Sequence, residues 1–219
     1  MKKKVVILGG FGNGAYFADI VRDIDAAGGE YELMGFLNDH MKVGADVFGS
    51  PVLGPLEKSL DLLKDPGIFF LQGLLTVKKF KERIARIEEL GIPIERYARL
   101  IHPSAVVSES ASLGFGSALM PFSLIQSNVT IGDHCWISNN CNVSHDTRIG
   151  DYAFISPNAA VGSYVDVGRG VFIGMSASIC VRLKIGEFAT VGMGAVVLKD
   201  IEADAVAVGN PARIVGRDR

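Results

Sequence analysis

The sequence predicts a two-part chain, in which a small α/β domain with a parallel sheet is followed by a parallel β-helix of triangular cross-section. Strands alternate with helices up to about residue 98, and from Ile101 onward an aliphatic residue recurs at every sixth position. The 219 residues also include 26 glycines without a collagen period, more than the roughly 7% of an average chain. So many glycines indicate a fold with many tight turns. The predicted domains are residues 1–98 and 99–219.

The first part shows the patterns of a parallel sheet covered by helices. Residues 5–8 form a β-branched apolar run typical of a buried strand, and residues 15–26 carry apolar side chains at helical spacing. The remaining predicted elements are strands at 32–37 and 68–71 and helices at 56–64 and 77–90. Gly91 ends the last helix. Strands that alternate with helices in this way favour a small parallel sheet.

The second part is written in hexads. The first position of seventeen consecutive hexads, from Ile101 to Val197, is always Ile, Leu or Val. If one residue in three were of these types, chance would produce such a run about once in 10⁸ trials, so the pattern predicts a repeat architecture. Each hexad is expected to form one flat face and one corner, and three hexads one coil, so that residues 18 apart stack. Glycine at the second position, or asparagine, is expected to ease the corner.

The charge balance excludes several classes of partner. The chain has 22 Lys and Arg against 24 Asp and Glu, a net charge of −2, so no overall field attracts nucleic acid or an anionic membrane. The basic and apolar start breaks at Gly9 and soon meets Asp19, which favours a first strand over a signal peptide. No run approaches the roughly 18 apolar residues of a spanning helix. We therefore expect a soluble cytoplasmic protein.

The cysteines do not indicate a metal site. Cys135, Cys141 and Cys180 form no CxxC motif and have no histidine at metal-ligand spacing. Three such cysteines also make a disulfide framework a poor explanation. We expect reduced thiols and no metal.

A glycine-rich turn near the start is a candidate phosphate site. Residues 10–15 read GFGNGA, which matches G-x-G-x-x-(G/A) after a predicted strand and at the start of a predicted helix. Such a turn lets backbone amides and a helix N-terminus approach a diphosphate. The diphosphate of a dinucleotide or of a nucleotide sugar would fit equally well.

His145 is the candidate catalytic residue. It is one of four histidines and stands third in the hexad that begins at Val143, beside a face edge and next to Asp146. An imidazole takes up and releases protons near neutral pH, as a general base must. The alternative is a solvated histidine in a turn, with Asp146 as an ordinary turn residue. The other histidines, His40, His102 and His134, are expected to be solvated loop residues.

The hexads, the preceding α/β segment, the triplet Ser144-His145-Asp146 and the closing segment 207–212 together resemble one family. The chain is similar to the sialic acid O-acetyltransferase family of left-handed β-helix acyltransferases. The best-understood branch of that family contains the bacterial enzymes that N-acetylate UDP-4-amino-4,6-dideoxy-N-acetylglucosamine. The resemblance implies left-handed coils, a homotrimer with acetyl-CoA between two β-helices, and a Rossmann-like first domain that binds the nucleotide sugar.

The resemblance also assigns residues. It places the catalytic base on His145, the supporting carboxylate on Asp146 and an oxyanion-binding main-chain amide on Ser163, where the family commonly has Gly-Gly-Asn and this chain reads Gly162-Ser163-Tyr164. Acetyl-CoA contacts carry over onto Phe154, where a histidine is common, and onto Met175 and Met193. Nucleotide-sugar contacts carry over onto Phe11, Gly12, Asn13, Asn38, Asp39 and Gly73.

The predicted function is acetyl-CoA-dependent N-acetylation of the 4-amino group of a UDP- or dTDP-linked 4-amino-4,6-dideoxy sugar, for glycan or surface-polysaccharide synthesis. Asn38 stands where an acidic residue is common, so the choice between uracil and thymine is open. One alternative is O-acetylation of sialic acid or another sugar hydroxyl. Another is a non-catalytic, nucleotide-binding trimeric scaffold. A nicotinamide oxidoreductase is disfavoured, because about 98 residues supply only half of a dinucleotide fold.

Overall fold

A computed structural model describes residues 2–76 and 79–217 of the chain. The chain divides into two compact units, one ending at Pro103 and the other beginning at Ser104. The first unit is built on a mixed α/β sheet, and the second on ladders of two-residue strands.

The first unit follows the predicted alternation of strands and helices. Its elements are β1 (Lys3–Leu8), α1 (Asn13–Ala26), β2 (Tyr31–Leu37), β3 (Asp46–Val47), β4 (Ser50–Gly54), α2 (Ser59–Leu62), β5 (Ile68–Gln72), α3 (Phe80–Glu89) and β6 (Leu100–Ile101), with 3₁₀ turns at Leu56–Lys58 and Ile94–Arg96. The sheet has the order β3-β4-β2-β1-β5, and β1 pairs in parallel with both β2 and β5. The predicted α/β fold is confirmed.

Three details of this unit differ from the prediction. The sheet is not purely parallel, because β3 and β4 form an antiparallel hairpin that the sequence did not reveal. Its turn residues Phe48 and Gly49 both have positive φ, 49° and 80°, as a tight hairpin turn requires, but phenylalanine is a weak signal for such a turn. The helix predicted at 56–64 is α-helical only over α2. The helix predicted at 77–90 is described over α3, and residues 77 and 78 lie outside the described residues.

The second unit is a parallel β-helix, as predicted. Its short strands are β7 (Val106–Val107), β8 (Ser112–Leu113), β9 (Ala118–Leu119), β10 (Leu124–Ile125), β11 (Thr130–Ile131), β12 (Trp136–Ile137), β13 (Asn142–Val143), β14 (Arg148–Ile149), β15 (Phe154–Ile155), β16 (Ala160–Val161), β17 (Asp166–Val167), β18 (Phe172–Ile173), β19 (Ser178–Ile179), β20 (Lys184–Ile185), β21 (Thr190–Val191) and β22 (Val196–Val197). Two longer strands, β23 (Ala205–Val208) and β24 (Arg213–Arg217), form an antiparallel pair at the end.

The strands stack into three faces. The first contains β7, β10, β13, β16, β19 and β22, the second β8, β11, β14, β17 and β20, and the third runs from β9 through β12, β15, β18 and β21 to β23. Each strand pairs in parallel with the strand 18 residues later, so that Val143 lies beside Val161. Three hexads therefore make one coil.

The interior holds the first and fifth positions of the hexads. Val143 and Ile155 are fully buried, and the small fifth-position side chains Cys135, Cys141 and Ala159 lie beside them. Burial raises the pKa of the Cys135 and Cys141 thiols to about 12. Cys180 is exposed.

The corners use a different hexad position from the one predicted. Fourth-position residues adopt the left-handed conformation, with φ of 58° at Asp146 and 58° at Tyr164, whereas second-position glycines such as Gly150 do not. The expectation that second-position glycine relaxes the corner is therefore wrong. A Cβ atom on Gly150 would lie 2.7 Å from the backbone N of Arg169, so glycine is needed there because the next coil approaches closely.

This close approach predicts a stability difference between two glycine substitutions. Gly150→Ala is expected to lower the free energy of unfolding by about 1–3 kcal/mol, because the added methyl group meets backbone atoms that cannot rotate away. Gly216→Ala is the matched control, since nothing lies within 4 Å of its Cβ position. The midpoint of thermal unfolding should fall by roughly 2–10 °C for Gly150→Ala and change little for Gly216→Ala. Equal midpoints would contradict the packing argument.

Candidate active site

His145 lies at the corner between the first and second faces, after β13 and before β14. Its side chain is half-exposed, and its Nδ1 atom is 2.8 Å from Oδ2 of Asp146. The sequence prediction paired these two residues, and the structure brings them together. Because the corner turns at Asp146, two neighbouring side chains form the contact without help from a distant segment.

The contact fixes which nitrogen of His145 carries the proton. An ionised carboxylate only accepts hydrogen bonds, so Nδ1 donates and Nε2 keeps its lone pair. The pKa of Asp146 is held below its usual range, mainly by the hydrogen bond from His145 and next by one from Asn128. The Asn128 amide nitrogen lies 3.2 Å from Asp146 Oδ1. The carboxylate is therefore ionised at neutral pH, and the arrangement is that of a general base with a supporting acid group.

An open depression of about 500 Å³ adjoins the pair. Its lining combines apolar and polar side chains, including Val106, Leu124, Gln126 and Ser127. The Gln126 side-chain oxygen accepts a hydrogen bond from the His145 backbone N–H at 3.2 Å, which fixes the main chain of the corner. A ligand in this depression would lie against both carbon-rich and hydrogen-bonding groups.

The coil above places Ser163 and Tyr164 next to the pair. The Tyr164 N–H donates to the His145 carbonyl at 3.2 Å, so Ser163 follows directly above His145. Among the described residues, no acceptor lies within hydrogen-bonding distance of the Ser163 N–H. This amide is therefore available to a ligand oxygen, which is the property required of the predicted oxyanion donor.

The predicted acetyl-CoA residues do not converge on His145 within one chain. Phe154 lies on the third face, where its ring packs between the rings of Trp136, at 4.6 Å, and Phe172, at 5.4 Å. Met175 and Met193 stack through a hydrogen bond from the Gly194 N–H to the Met175 carbonyl. They are turn residues of the corner between the first and third faces, so their expected position on a flat face is wrong.

The glycine-rich turn of the first unit has the geometry of an anion site. Gly12 precedes α1 with φ of 70°, and no side chain caps the amides at the start of this helix. A Cβ atom on Gly73, which follows β5, would lie 3.1 Å from Gly14 Cα, so glycine permits the two loops to approach. The Asn13 side chain donates to the Leu75 carbonyl at 2.7 Å and ties the same loops together.

Asn38 and Asp39 follow β2, next to this turn. Asn38 lies against Gly10, where a Cβ atom would be 2.9 Å from its side-chain nitrogen. Asp39 accepts a hydrogen bond from the Leu56 N–H at 2.8 Å and lies 3.7 Å from the Arg86 guanidinium. The structure thus gathers most of the predicted nucleotide-sugar residues at the carboxyl end of β1, and it gives Asp39 a structural role as well.

The other histidines differ from one another. His134 is buried and stacks on Tyr152 with ring centroids 4.8 Å apart, so its prediction as a solvated residue is wrong. Corner side chains stack on those of the next coil, and this stacking buries His134 under Tyr152. His102 is only slightly exposed and lies 3.3 Å from Asp23, so it too is not a free loop residue. His40 is exposed, as predicted.

The sequence argument missed four residues around the pair. Gln126, Asn128, Tyr164 and Arg182 all contact the pair or its immediate neighbours. Three of them lie 18 or 36 residues from Asp146, so the coil length would have found them. Within the described ranges, no group of three or more His, Cys, Asp or Glu side chains forms a possible metal site.

Membrane-spanning helices were also sought. None of the helices in the part of the chain that the structure describes has the length and apolar character needed to cross a bilayer.

A β-helix of hexads with a histidine–carboxylate pair on one corner, preceded by an α/β unit with a glycine turn, defines a hexapeptide-type acyltransferase. Residues 128–163 match the family model described as bacterial transferase hexapeptide (six repeats). The chain belongs to the hexapeptide-repeat transferases, and the predicted left-handed β-helix fold is confirmed. No match was found among curated protein sequences.

Solved structures resemble the chain over nearly its full length. The GDP-perosamine N-acetyltransferase of Caulobacter crescentus, in a variant with one histidine replaced by alanine and in complex with CoA and GDP-perosamine, is 29% identical, with 97% of each chain covered and a TM-score of 0.81. WeeI of Acinetobacter baumannii AYE is 28% identical over 96% of this chain and 99% of its own, with a TM-score of 0.79. The acetyltransferase domain of PglB from Neisseria gonorrhoeae FA1090 shares the fold, at 24% identity, 98% and 100% coverage and a TM-score of 0.66.

Proposed function

We propose that this protein transfers the acetyl group of acetyl-CoA to the 4-amino group of a nucleotide-linked 4-amino-4,6-dideoxy sugar, for glycan or surface-polysaccharide synthesis. The observation that carries the proposal is the His145–Asp146 contact at 2.8 Å, in a chain that resembles a GDP-perosamine N-acetyltransferase along 97% of its length. That neighbour was crystallised with CoA and GDP-perosamine, a nucleotide amino sugar.

The proposed reaction uses His145 as the base. The neutral amine of the sugar attacks the thioester carbonyl carbon, and Nε2 of His145 takes the proton that the nitrogen loses. The carbonyl oxygen becomes an oxyanion and accepts a hydrogen bond from the Ser163 N–H. When the carbon–sulfur bond breaks, the CoA thiolate leaves and takes up the proton from His145. Asp146 keeps Nδ1 protonated throughout, so that Nε2 remains the acceptor.

We place the nucleotide sugar in domain 1–98 and the acetyl transfer in domain 99–219. The uncapped amides after Gly12 suit a diphosphate, and the neighbouring side chains of Phe11 and Asn13 would frame it. Gly73 would lie beside the sugar, and Asn38 and Asp39 beside the base. Because Asp39 already has partners, Asn38 is the freer of the two to read the base.

We also propose a homotrimer with acetyl-CoA between subunits. Apolar side chains on the first face and its corner are exposed in the single chain, among them Val106, Phe122, Met175 and Met193. A surface of this kind is typical of a buried interface. Met175, Met193 and Phe154 would then contact the cofactor of a neighbouring site, which explains why they do not meet His145 within one chain. We further propose that the enzyme acts in the cytoplasm, where thiols such as Cys180 stay reduced.

The test is acetyl transfer to a panel of nucleotide amino sugars. Acetyl-CoA would be incubated with GDP-perosamine, UDP-4-amino-4,6-dideoxy-N-acetylglucosamine and a dTDP-4-amino sugar, while release of the CoA thiol and the mass of the product are followed. We expect turnover with at least one donor–acceptor pair and an acetyl group that resists hydroxylamine, as an amide does. A hydroxylamine-labile product would indicate O-acetylation. Binding of these nucleotides without any transfer would overturn the proposal in favour of a scaffold.

A further inference from the structure

A column of side chains runs along the corner that carries His145. Asn128, Asp146, Tyr164 and Arg182 follow one another at intervals of 18 residues, one in each coil. Their φ angles are 59°, 58°, 58° and 59°, so all four leave the backbone in the same way. Side chains that leave in the same direction from stacked coils lie above one another.

Tyr164 packs directly against the imidazole of His145. The two ring centroids are 5.4 Å apart and the ring planes are nearly perpendicular, at 87°. Above it, the Arg182 guanidinium carbon lies 5.1 Å from the Tyr164 ring centroid, a distance at which a cation is attracted to an aromatic face. Tyr164 is thus held between the imidazole and a cation.

The contacts of His145 restrict its orientation on three sides. Asp146 accepts from Nδ1, the Gln126 side chain holds the backbone N–H, and the Tyr164 ring stands across the imidazole. Asn128 fixes the carboxylate from the coil below. Rotation of the imidazole about its Cβ–Cγ bond would exchange the two nitrogens at Asp146, and the Tyr164 ring stands in the way of that rotation.

We propose that Tyr164 is a positioning residue that holds the imidazole of His145 in one orientation, with Nδ1 on Asp146 and Nε2 left to accept the substrate proton. The predicted family pattern has asparagine at this position, so the ring is a particular feature of this chain. The orientation rests on the geometry alone. Its effect on turnover rests on the proposed function.

The main variant is Tyr164→Asn. Asparagine tolerates the left-handed conformation better than most residues, and Tyr164 is half-exposed, so the corner should fold while the ring is lost. Tyr164→Phe keeps the ring and removes the hydroxyl. Tyr152→Asn is the matched control, because Tyr152 occupies the same corner position in another column and also has an arginine, Arg169, 4.7 Å from its ring.

The first readout needs no substrate. Long-range ¹H–¹⁵N spectra of histidine-labelled protein report which ring nitrogen carries the proton, and the His145 signals are assigned by their loss in His145→Ala. We expect one tautomer, with the proton on Nδ1, in the wild type, in Tyr164→Phe and in Tyr152→Asn. We expect a mixture of tautomers in Tyr164→Asn. The control should instead lower the midpoint of thermal unfolding, because Tyr152 is buried.

The second readout is turnover. Tyr164→Asn should lower kcat by about 10-fold with little change in either KM, because the ring acts on the base and not on substrate binding. A single unchanged tautomer in Tyr164→Asn would overturn the inference, whatever the activity. A mixture of tautomers in a protein whose wild type transfers no acetyl group would support the inference and contradict the proposed function.

Discussion

Replacement of His145 by alanine is expected to lower kcat for acetyl transfer by about 10²–10⁴-fold, the usual contribution of a general base. The side chain is half-exposed and makes no contact with the interior, so the fold should be retained. The KM for acetyl-CoA should change little, because the imidazole acts on the attacking amine. The measurement is release of CoA thiol at saturating substrates, with thermal unfolding as the check on folding.

The chain offers a matched control for this variant. His102 also lies beside a carboxylate, with its Nε2 atom 3.3 Å from Asp23, but in the first unit. His102→Ala should therefore keep kcat within about 3-fold of the wild type. If His145→Ala retained the same activity as His102→Ala, His145 would not be the base.

Asp146→Asn is expected to lower kcat on the order of 10²-fold. An amide can donate as well as accept, so His145 would no longer be held with its proton on Nδ1, and Nε2 would be protonated in part of the molecules. Asparagine accepts the φ of 58° at this corner, as Asn128 and Asn158 do at theirs, so the backbone should not change. The same tautomer spectra would verify the cause.

The pH dependence separates this effect from a loss of stability. The pKa of Asp146 lies below its usual range because the carboxylate accepts hydrogen bonds from His145 and Asn128. A lowered carboxyl pKa means that the contribution of the ionised form persists at neutral pH and is lost only as pH falls below about 4. The ratio of wild-type to Asp146→Asn activity should therefore stay constant between about pH 5 and 8. A ratio that fell toward one already near pH 6 would contradict the role of the ionised carboxylate.

The sequence predicted the repeat better than it predicted the surroundings of the active pair. Aliphatic first positions from Ile101 to Val197 determine the interior directly, because each coil repeats the same packing. The β3–β4 hairpin was missed, since strands of two and five residues with a Phe-Gly turn give little periodic signal. His145 and Asp146 were paired correctly because they are adjacent in sequence.

The neighbours of the pair depend on how the coils stack. Gln126 and Tyr164 reach His145 from the coils below and above, and only the 18-residue repeat connects them to it. The buried stacking of His134 on Tyr152 was missed for the same reason. Side-chain stacking between coils involves many residue types, so the pattern of hydrophobic residues alone does not reveal it.

The division of each hexad has a consequence for how such a protein can change. The first and fifth positions of a hexad fill the interior, and the third and fourth positions face outward at the corners. Substitutions at residues 128, 164 and 182 can therefore alter the environment of one base while the hydrophobic interior is conserved. In this architecture the evolution of reactivity is separable from the evolution of folding, one coil at a time.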